Sequence, residues 1–229
     1  MKNIKKETII KLAVIAILLA VIITFTCLVY KHNKEALPID AVIRDFAYQI
    51  RGEKGGLIYK ITRLVTELGY YPGVFLVIIL VGIFTKFDER FFIIALATIT
   101  MHFSNSAFKH IVLRPRPFEE FRWQIETSTS FPSGHSCTAG VLYTSALIFI
   151  LKSNLSSKIK LAAKIVLPLT IIAVMTTRVI LGVHYFSDVL AGASFGALIA
   201  VSYSFLLTPG HKLHQIVVSK LKQAFAKEA

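Results

Sequence analysis

Three polar clusters interrupt an otherwise hydrophobic chain: "HFSNSAFKHIVLRPRP" (His102 to Pro117), "PSGH" (Pro132 to His135) and "TRVILGVHYFSD" (Thr177 to Asp188). Ionisable groups at membrane depth or its edge are costly to hold there and usually have a task. Together the clusters supply three fixed cations (Lys109, Arg116, Arg178), two histidines (His135, His184) and one carboxylate (Asp188). The cations predict an anion, with guanidinium forks suited to bidentate phosphate recognition and lysine acting as a point charge. Pro132 fits the first turn of a helix, whose positive end would offer the Ser133 hydroxyl and the backbone N–H groups of Ser133 and Gly134. Gly134 has no side chain to keep phosphate oxygens away from the backbone.

The histidines then have distinct uses. Asp188 follows His184 by four residues, so a helix there lets the carboxylate hold one ring nitrogen and leaves the other free to attack phosphorus. This is the His and Asp portion of a triad without its serine. His135, on the opposite wall, protonates the departing oxygen and later takes a proton from water. The cations and the helix start stabilise the charge that spreads over the equatorial oxygens. Three adjacent cations also repel a metal ion, so neither a metal nor another cofactor is expected.

The elements that position these groups are membrane spans. The chain of 229 residues is 55% hydrophobic, its mean hydropathy is +0.65, and a run of about 20 apolar residues crosses a bilayer. Such runs lie near Leu12 to Tyr30, Tyr71 to Thr85, Phe91 to Leu113, Thr138 to Leu151, Ile165 to Val183 and Val189 to Leu207. The second and fourth are short and extend into their flanks. The first run begins basic but is too long for a signal peptide and has no A-x-A-like cleavage site, so it is read as a retained anchor. Six alternating crossings bring all three polar clusters out on one side of the membrane, whichever way the chain is oriented. With the N-terminus inside, fourteen Lys and Arg fall on the cytoplasmic side against twelve outside, which favours an extracytoplasmic site. The expected fold is an all-α, six-helix transmembrane bundle forming one domain over residues 1–229. Between spans one and two, Ile39, Val42, Ile43, Phe46 and Ile50 recur at helical spacing, and Gly55-Gly56 precedes a second amphipathic piece from Leu57. These predict one or two interfacial helices, serving either as a structural cover or as a rim that admits a lipid sideways.

Lys109 followed after six residues by Arg116-Pro117, then Pro132-Ser133-Gly134-His135, then Arg178, five residues, His184, three residues and Asp188 resemble the three-part signature of the type 2 phosphatidic acid phosphatase superfamily. The resemblance covers Lys109 to Asp188. It implies that His184 becomes a phosphohistidine, Asp188 orients it, His135 is the general acid, and Lys109, Arg116, Ser133, Gly134 and Arg178 bind phosphate without a metal. Thr177 departs from the serine usual in the family and keeps a hydroxyl. The expected activity is hydrolysis of a lipid phosphate or pyrophosphate in the bacterial cytoplasmic membrane. Undecaprenyl pyrophosphate and phosphatidylglycerophosphate lead, ahead of phosphatidic acid and lipid A phosphates. The shared pocket chemistry of haloperoxidases and soluble acid phosphatases fits poorly with six spans. A non-enzymatic lipid transporter or a catalytically dead binding protein has no need for both histidines.

The remaining polar residues have plainer readings. The net charge of +13 is scattered among loops and matches anionic headgroups rather than nucleic acid. Arg114 and Arg122 read as solvated anchors, His102, Asn105 and His110 as contacts between helices, and His32, His211 and His214 as solvent or headgroup residues. Glu119, Glu120 and Glu126 lie in the loop between the first two clusters and either shape substrate choice or are simply solvated. Cys27 and Cys137 read as packing.

Overall fold

The structure, a computed structural model, describes residues 2–85, 88–206 and 219. Its helices are α1 (Lys2–Lys31), α2 (Pro38–Ile50), α3 (Leu57–Thr66), α4 (Tyr71–Thr85), α5 (Glu89–Val112), α6 (Gly134–Lys152), α7 (Ser157–Ile180) and α8 (Phe186–Tyr203). No strand occurs among the described residues, and the chain is a multi-pass, all-α membrane protein. The helices α1, α5, α6, α7 and α8 are each long and apolar enough to cross a bilayer. At 15 residues, or about 22 Å, α4 falls short of the roughly 30 Å hydrocarbon core. It completes a sixth span only together with α3, from which it bends by 49°.

The amphipathic pieces expected between the first two spans are α2 and α3. They do more than cover the bundle, because α2 packs against α7 and α8, and α3 against α7. The N-terminal parts of two spans lie earlier than hydropathy alone suggested: α6 starts at Gly134 and α7 at Ser157. In both, a serine cap starts a helix before its apolar run begins. Ser133 accepts from the Ser136 N–H and Ser156 from the Ile159 N–H, each at 3.5 Å. The end of the sixth expected span at Leu207, His211, His214, Lys86 and the C-terminal tail other than residue 219 lie outside the described residues.

The centre of the bundle is the α6–α8 pair, the two most enclosed spans. Small residues permit their close approach, since apolar side chains gain nothing over lipid and helices associate through tight packing. A methyl on Gly192 would sit 2.7 Å from the Ser133 carbonyl, and one on Gly196 would collide with the Cys137 carbonyl. This approach lets the Ser133 N–H donate to the Asp188 backbone carbonyl at 3.1 Å, locking the N-terminus of α6 against that of α8. Cys137 is buried in the same core, while Cys27 is exposed on α1.

Candidate active site

The site forms where the C-termini of α5 and α7 meet the N-termini of α6 and α8. After α5 stops at Val112, Leu113 takes a left-handed conformation with φ 51°, and Arg114-Pro115-Arg116-Pro117 follows. A residue before proline is held extended, and in an extended chain positions i and i+2 face the same way. Both guanidiniums consequently point inward. On the other side of the site, Gly182 turns the chain out of α7 with φ +71°, and a methyl there would lie 2.6 Å from the Phe121 carbonyl. Val183, His184 and Tyr185 come next, and α8 begins at Phe186.

His184 is thus in a turn rather than in a helix, which corrects the helical spacing assumed from the sequence. Asp188 occupies the third position of α8 and reaches back instead, accepting the Tyr185 N–H at 2.8 Å. His184 Nδ1 lies 3.5 Å from Asp188 Oδ2 and 3.3 Å from Ser130 Oγ, while the Ser130 hydroxyl donates to the same carboxylate oxygen. Ser130 therefore stands as a bridge between ring and carboxylate. On the far side of the ring, Arg116 Nη1 is 3.1 Å from His184 Nε2. Arginine can only donate, so Nε2 accepts and the ring proton sits on Nδ1. His184 is buried, with 3% exposure, and that burial, followed by the fields of Arg116, Lys109, Arg178 and His135, holds its pKa well below the ordinary imidazole value. The imidazole is accordingly neutral at physiological pH. Burial likewise pushes Arg116 down to about 10, which leaves it a cation.

Around this centre the other expected residues converge. Arg178 is fully buried; its Nη1 donates to Thr66 Oγ1 at 3.0 Å and its Nη2 to Glu126. Lys109 Nζ donates to the Thr129 carbonyl. His135 stacks on Tyr70, with centroids 4.9 Å apart and planes 9° apart. Ser133 stands at the start of α6, beside this centre. As the cap of α6 it is fully buried, its hydroxyl accepts from the Ser136 N–H and Ser136 Oγ, and its own N–H is used by Asp188. Pro132, expected in the first turn, precedes that cap. The N–H groups that α6 leaves without intrahelical partners at this end are those of Gly134 and His135. A methyl on Gly134 would make only an ordinary 3.5 Å contact with Asn105.

Lys109, Glu126, Ser128 and His135 line one end of a cavity of about 510 Å³ that continues between α4 and α5 past Val74, Ile78 and Ile99. Its shape suits a polar head and an apolar tail. His102 and Asn105 line it as well, and Asn105 also accepts a hydrogen bond from Cys137 Sγ at 3.3 Å.

The sequence profile of the PAP2 superfamily matches residues 90–209, more than half of the chain. The chain belongs to the PAP2 superfamily. A curated relative, phosphatidylglycerophosphatase B of Bacillus subtilis, is 38% identical over 97 residues, or 42% of this chain and 47% of the relative. The match thus spans about half the length of that relative. Among solved structures, a transmembrane PAP2-type phosphatidylglycerolphosphate phosphatase from Bacillus subtilis superposes with a TM-score of 0.71 at 25% identity, covering 83% of this chain and 94% of that one. Aquifex aeolicus LpxE shares the fold, with a TM-score of 0.59 at 22% identity over 73% of this chain and 95% of its own.

Within this PAP2 chain, the reading of Arg114 as a solvated anchor is wrong. Arg114 is fully buried and bridges Asp188 Oδ1 at 2.5 Å and Asp40 Oδ2 at 2.9 Å. Burial alone would lower its pKa, but the two carboxylates more than reverse this and raise it. Asp40, from α2, also accepts from the Ser187 N–H and hydroxyl, both at 2.8 Å. Asp40, Thr66, Tyr70 and Ser130 are site residues that sequence reasoning missed. The signal available for Asp40 was a lone acid in the first turn of an amphipathic helix just after Leu37-Pro38, a pattern that equally marks an ordinary helix start. Arg122, by contrast, stays at the periphery and donates to the Pro117 carbonyl at 2.7 Å.

Proposed function

We propose that this protein hydrolyses the terminal phosphate of a membrane lipid, with phosphatidylglycerophosphate as the substrate best supported. The observation that carries the reaction is the placement of the His184 ring between Arg116 and the Ser130–Asp188 pair. Its Nδ1 faces Ser130 and Asp188, and its Nε2 faces Arg116, beside a cavity with apolar walls. The Bacillus subtilis sequence and structure matches, both named for this phosphatase activity, support the substrate.

In this mechanism the lipid's tail lies between α4 and α5 and its phosphate reaches the cations. Arg116, Arg178, Lys109 and the first N–H groups of α6 hold the three equatorial oxygens. The Nε2 lone pair of His184 attacks phosphorus as the bond to the lipid oxygen breaks, and His135 donates a proton to that oxygen. The imidazolium so formed is stabilised by Asp188 directly and through Ser130. Water then attacks the phosphohistidine, His135 accepts its proton, the P–N bond breaks and inorganic phosphate leaves. Tyr70, stacked on His135, keeps the acid oriented.

The site is extracytoplasmic in this reading, and the enzyme sits in the cytoplasmic membrane. Of the twelve basic residues outside in the six-span topology, Lys109, Arg114, Arg116 and Arg178 serve the site, so the bias that orients the chain is stronger than the raw count.

The test is phosphate release by purified protein from phosphatidylglycerophosphate, undecaprenyl pyrophosphate, phosphatidic acid and a lipid A phosphate at matched detergent concentration. Phosphatidylglycerophosphate should give the highest kcat/KM. Absence of release from every lipid phosphate, with the protein monodisperse, would overturn the proposal.

A further inference from the structure

The phosphate-binding arginines already hold an anion supplied by the chain itself. Glu126 Oε1 pairs with Arg178 Nη2, Glu126 Oε2 lies 3.6 Å from Arg116 Nη2, and Gln124 Nε2 donates to Oε1 at 3.2 Å. One carboxylate thus spans two guanidiniums from different parts of the site, much as two oxygens of a phosphate would. Glu126 also lies at the boundary of the cavity. The lining includes Glu126, Lys109 and His135 but neither Arg178 nor His184, which are 0% and 3% exposed. A phosphate arriving through the cavity meets the carboxylate before it can reach the nucleophile.

We infer that Glu126 is a displaceable internal anion that occupies the substrate phosphate's seat on Arg116 and Arg178, and that binding exchanges it for phosphate. The inference rests on the phosphatase reading of the site and adds a specificity determinant to it. Two buried guanidiniums with no anion between them would repel one another in a region of low dielectric, and the carboxylate offsets one of the two charges and screens their repulsion while the site holds no substrate. The exchange discriminates by charge. A terminal phosphate near a double negative charge displaces one carboxylate with electrostatic gain, whereas a phosphodiester headgroup, with a single charge, exchanges like for like. Glu126 belongs to the irregular segment between Phe121 and Gly134, so it can withdraw without disrupting a helix.

The sign of the test separates this role from structural damage, because removing a competing anion tightens anion binding whereas a damaged site weakens it. Orthovanadate inhibition of lipid phosphate release is compared between the wild-type protein and Glu126→Gln, which keeps the shape and one acceptor oxygen while removing the charge. Vanadate should bind Glu126→Gln about tenfold more tightly, each tenfold step corresponding to about 1.4 kcal/mol. Tightening by less than about threefold, or any weakening, would overturn the inference. In the wild-type protein, hydrogen exchange of the 122–129 backbone should rise on saturation with vanadate as the tether is released. This measurement needs no variant to fold, and unchanged or slowed exchange would equally overturn it. Loss of all lipid phosphatase activity in the wild-type protein would count against the proposed function instead, so the two failures are distinguishable.

Discussion

Arg114 Nη1 lies 2.5 Å from Asp188 Oδ1, with neither side chain exposed to solvent. The carboxylate that faces the candidate nucleophile is therefore held from behind by a guanidinium, and that guanidinium is anchored in turn by Asp40 of α2. Asp188 keeps its other oxygen for Ser130, Tyr185 N–H and His184. An amphipathic helix on the edge of the bundle is thus tied to the candidate site through two ion pairs.

Breaking that link should be costly. Arg114→Ala strands two buried carboxylates, and removing one partner of a buried pair typically costs about 3–5 kcal/mol. Thermal unfolding in detergent should shift downward strongly and activity should be lost. Arg114→Lys retains the charge but loses the fork that spans both acids, so it should recover stability in part with kcat still depressed. If Arg114→Ala unfolds and turns over like wild type, the link has no energetic weight.

The two histidines should respond differently to the leaving group. With a lipid phosphate, His135→Ala and His184→Ala should both be nearly inactive. With para-nitrophenyl phosphate, whose phenolate departs without a proton, His135→Ala should recover part of a loss that general-acid assistance makes about 10² to 10⁴. His184→Ala should recover nothing, since no phosphohistidine forms. Rescue of His184→Ala by the better leaving group would reverse the assignment of roles.

The pH profile follows from the depressed pKa of His184. The unprotonated, attacking form persists as pH falls through the ordinary imidazole range, so the acid limb of kcat/KM due to this group lies below about 6.5. Burial is the larger cause and Arg116 the next. Removing a cation relieves the penalty on the imidazolium and raises the pKa, so Arg116→Gln should move the acid limb to higher pH as well as lowering activity. A limb that stays in place or moves down would contradict the electrostatic account.

Topology can be read chemically. In a Cys27→Ser, Cys137→Ser background, single cysteines at Glu120 and Asn154, both exposed positions, should label from opposite sides of the membrane with an impermeant reagent. Labelling from one side alone would exclude the six-span arrangement with α3 and α4 as a broken crossing.

Much of the architecture was legible in the chain because bilayer solvation acts on local stretches. A run of apolar residues long enough to cross is a span wherever it packs, and counting crossings was sufficient to put Lys109, His135 and His184 on one side. The spacing within each motif is also local, which is why the three clusters stood out. What remained hidden depends on partners distant in sequence. Arg114 and Arg116 are the same residue type two positions apart, yet one pairs with Asp40 and Asp188 and the other meets His184. The packing of α2 against α8, rather than any feature of the Arg-Pro-Arg-Pro stretch, decides between them. Ser133 could equally have faced a phosphate or capped α6, and its backbone geometry, set by the close α6–α8 crossing at Gly192, made it the cap. Glu126 read as one of three loop acids until the fold carried it between Arg116 and Arg178. Charged groups take the roles their nearest opposite charges assign, and in this chain those neighbours are chosen by tertiary packing.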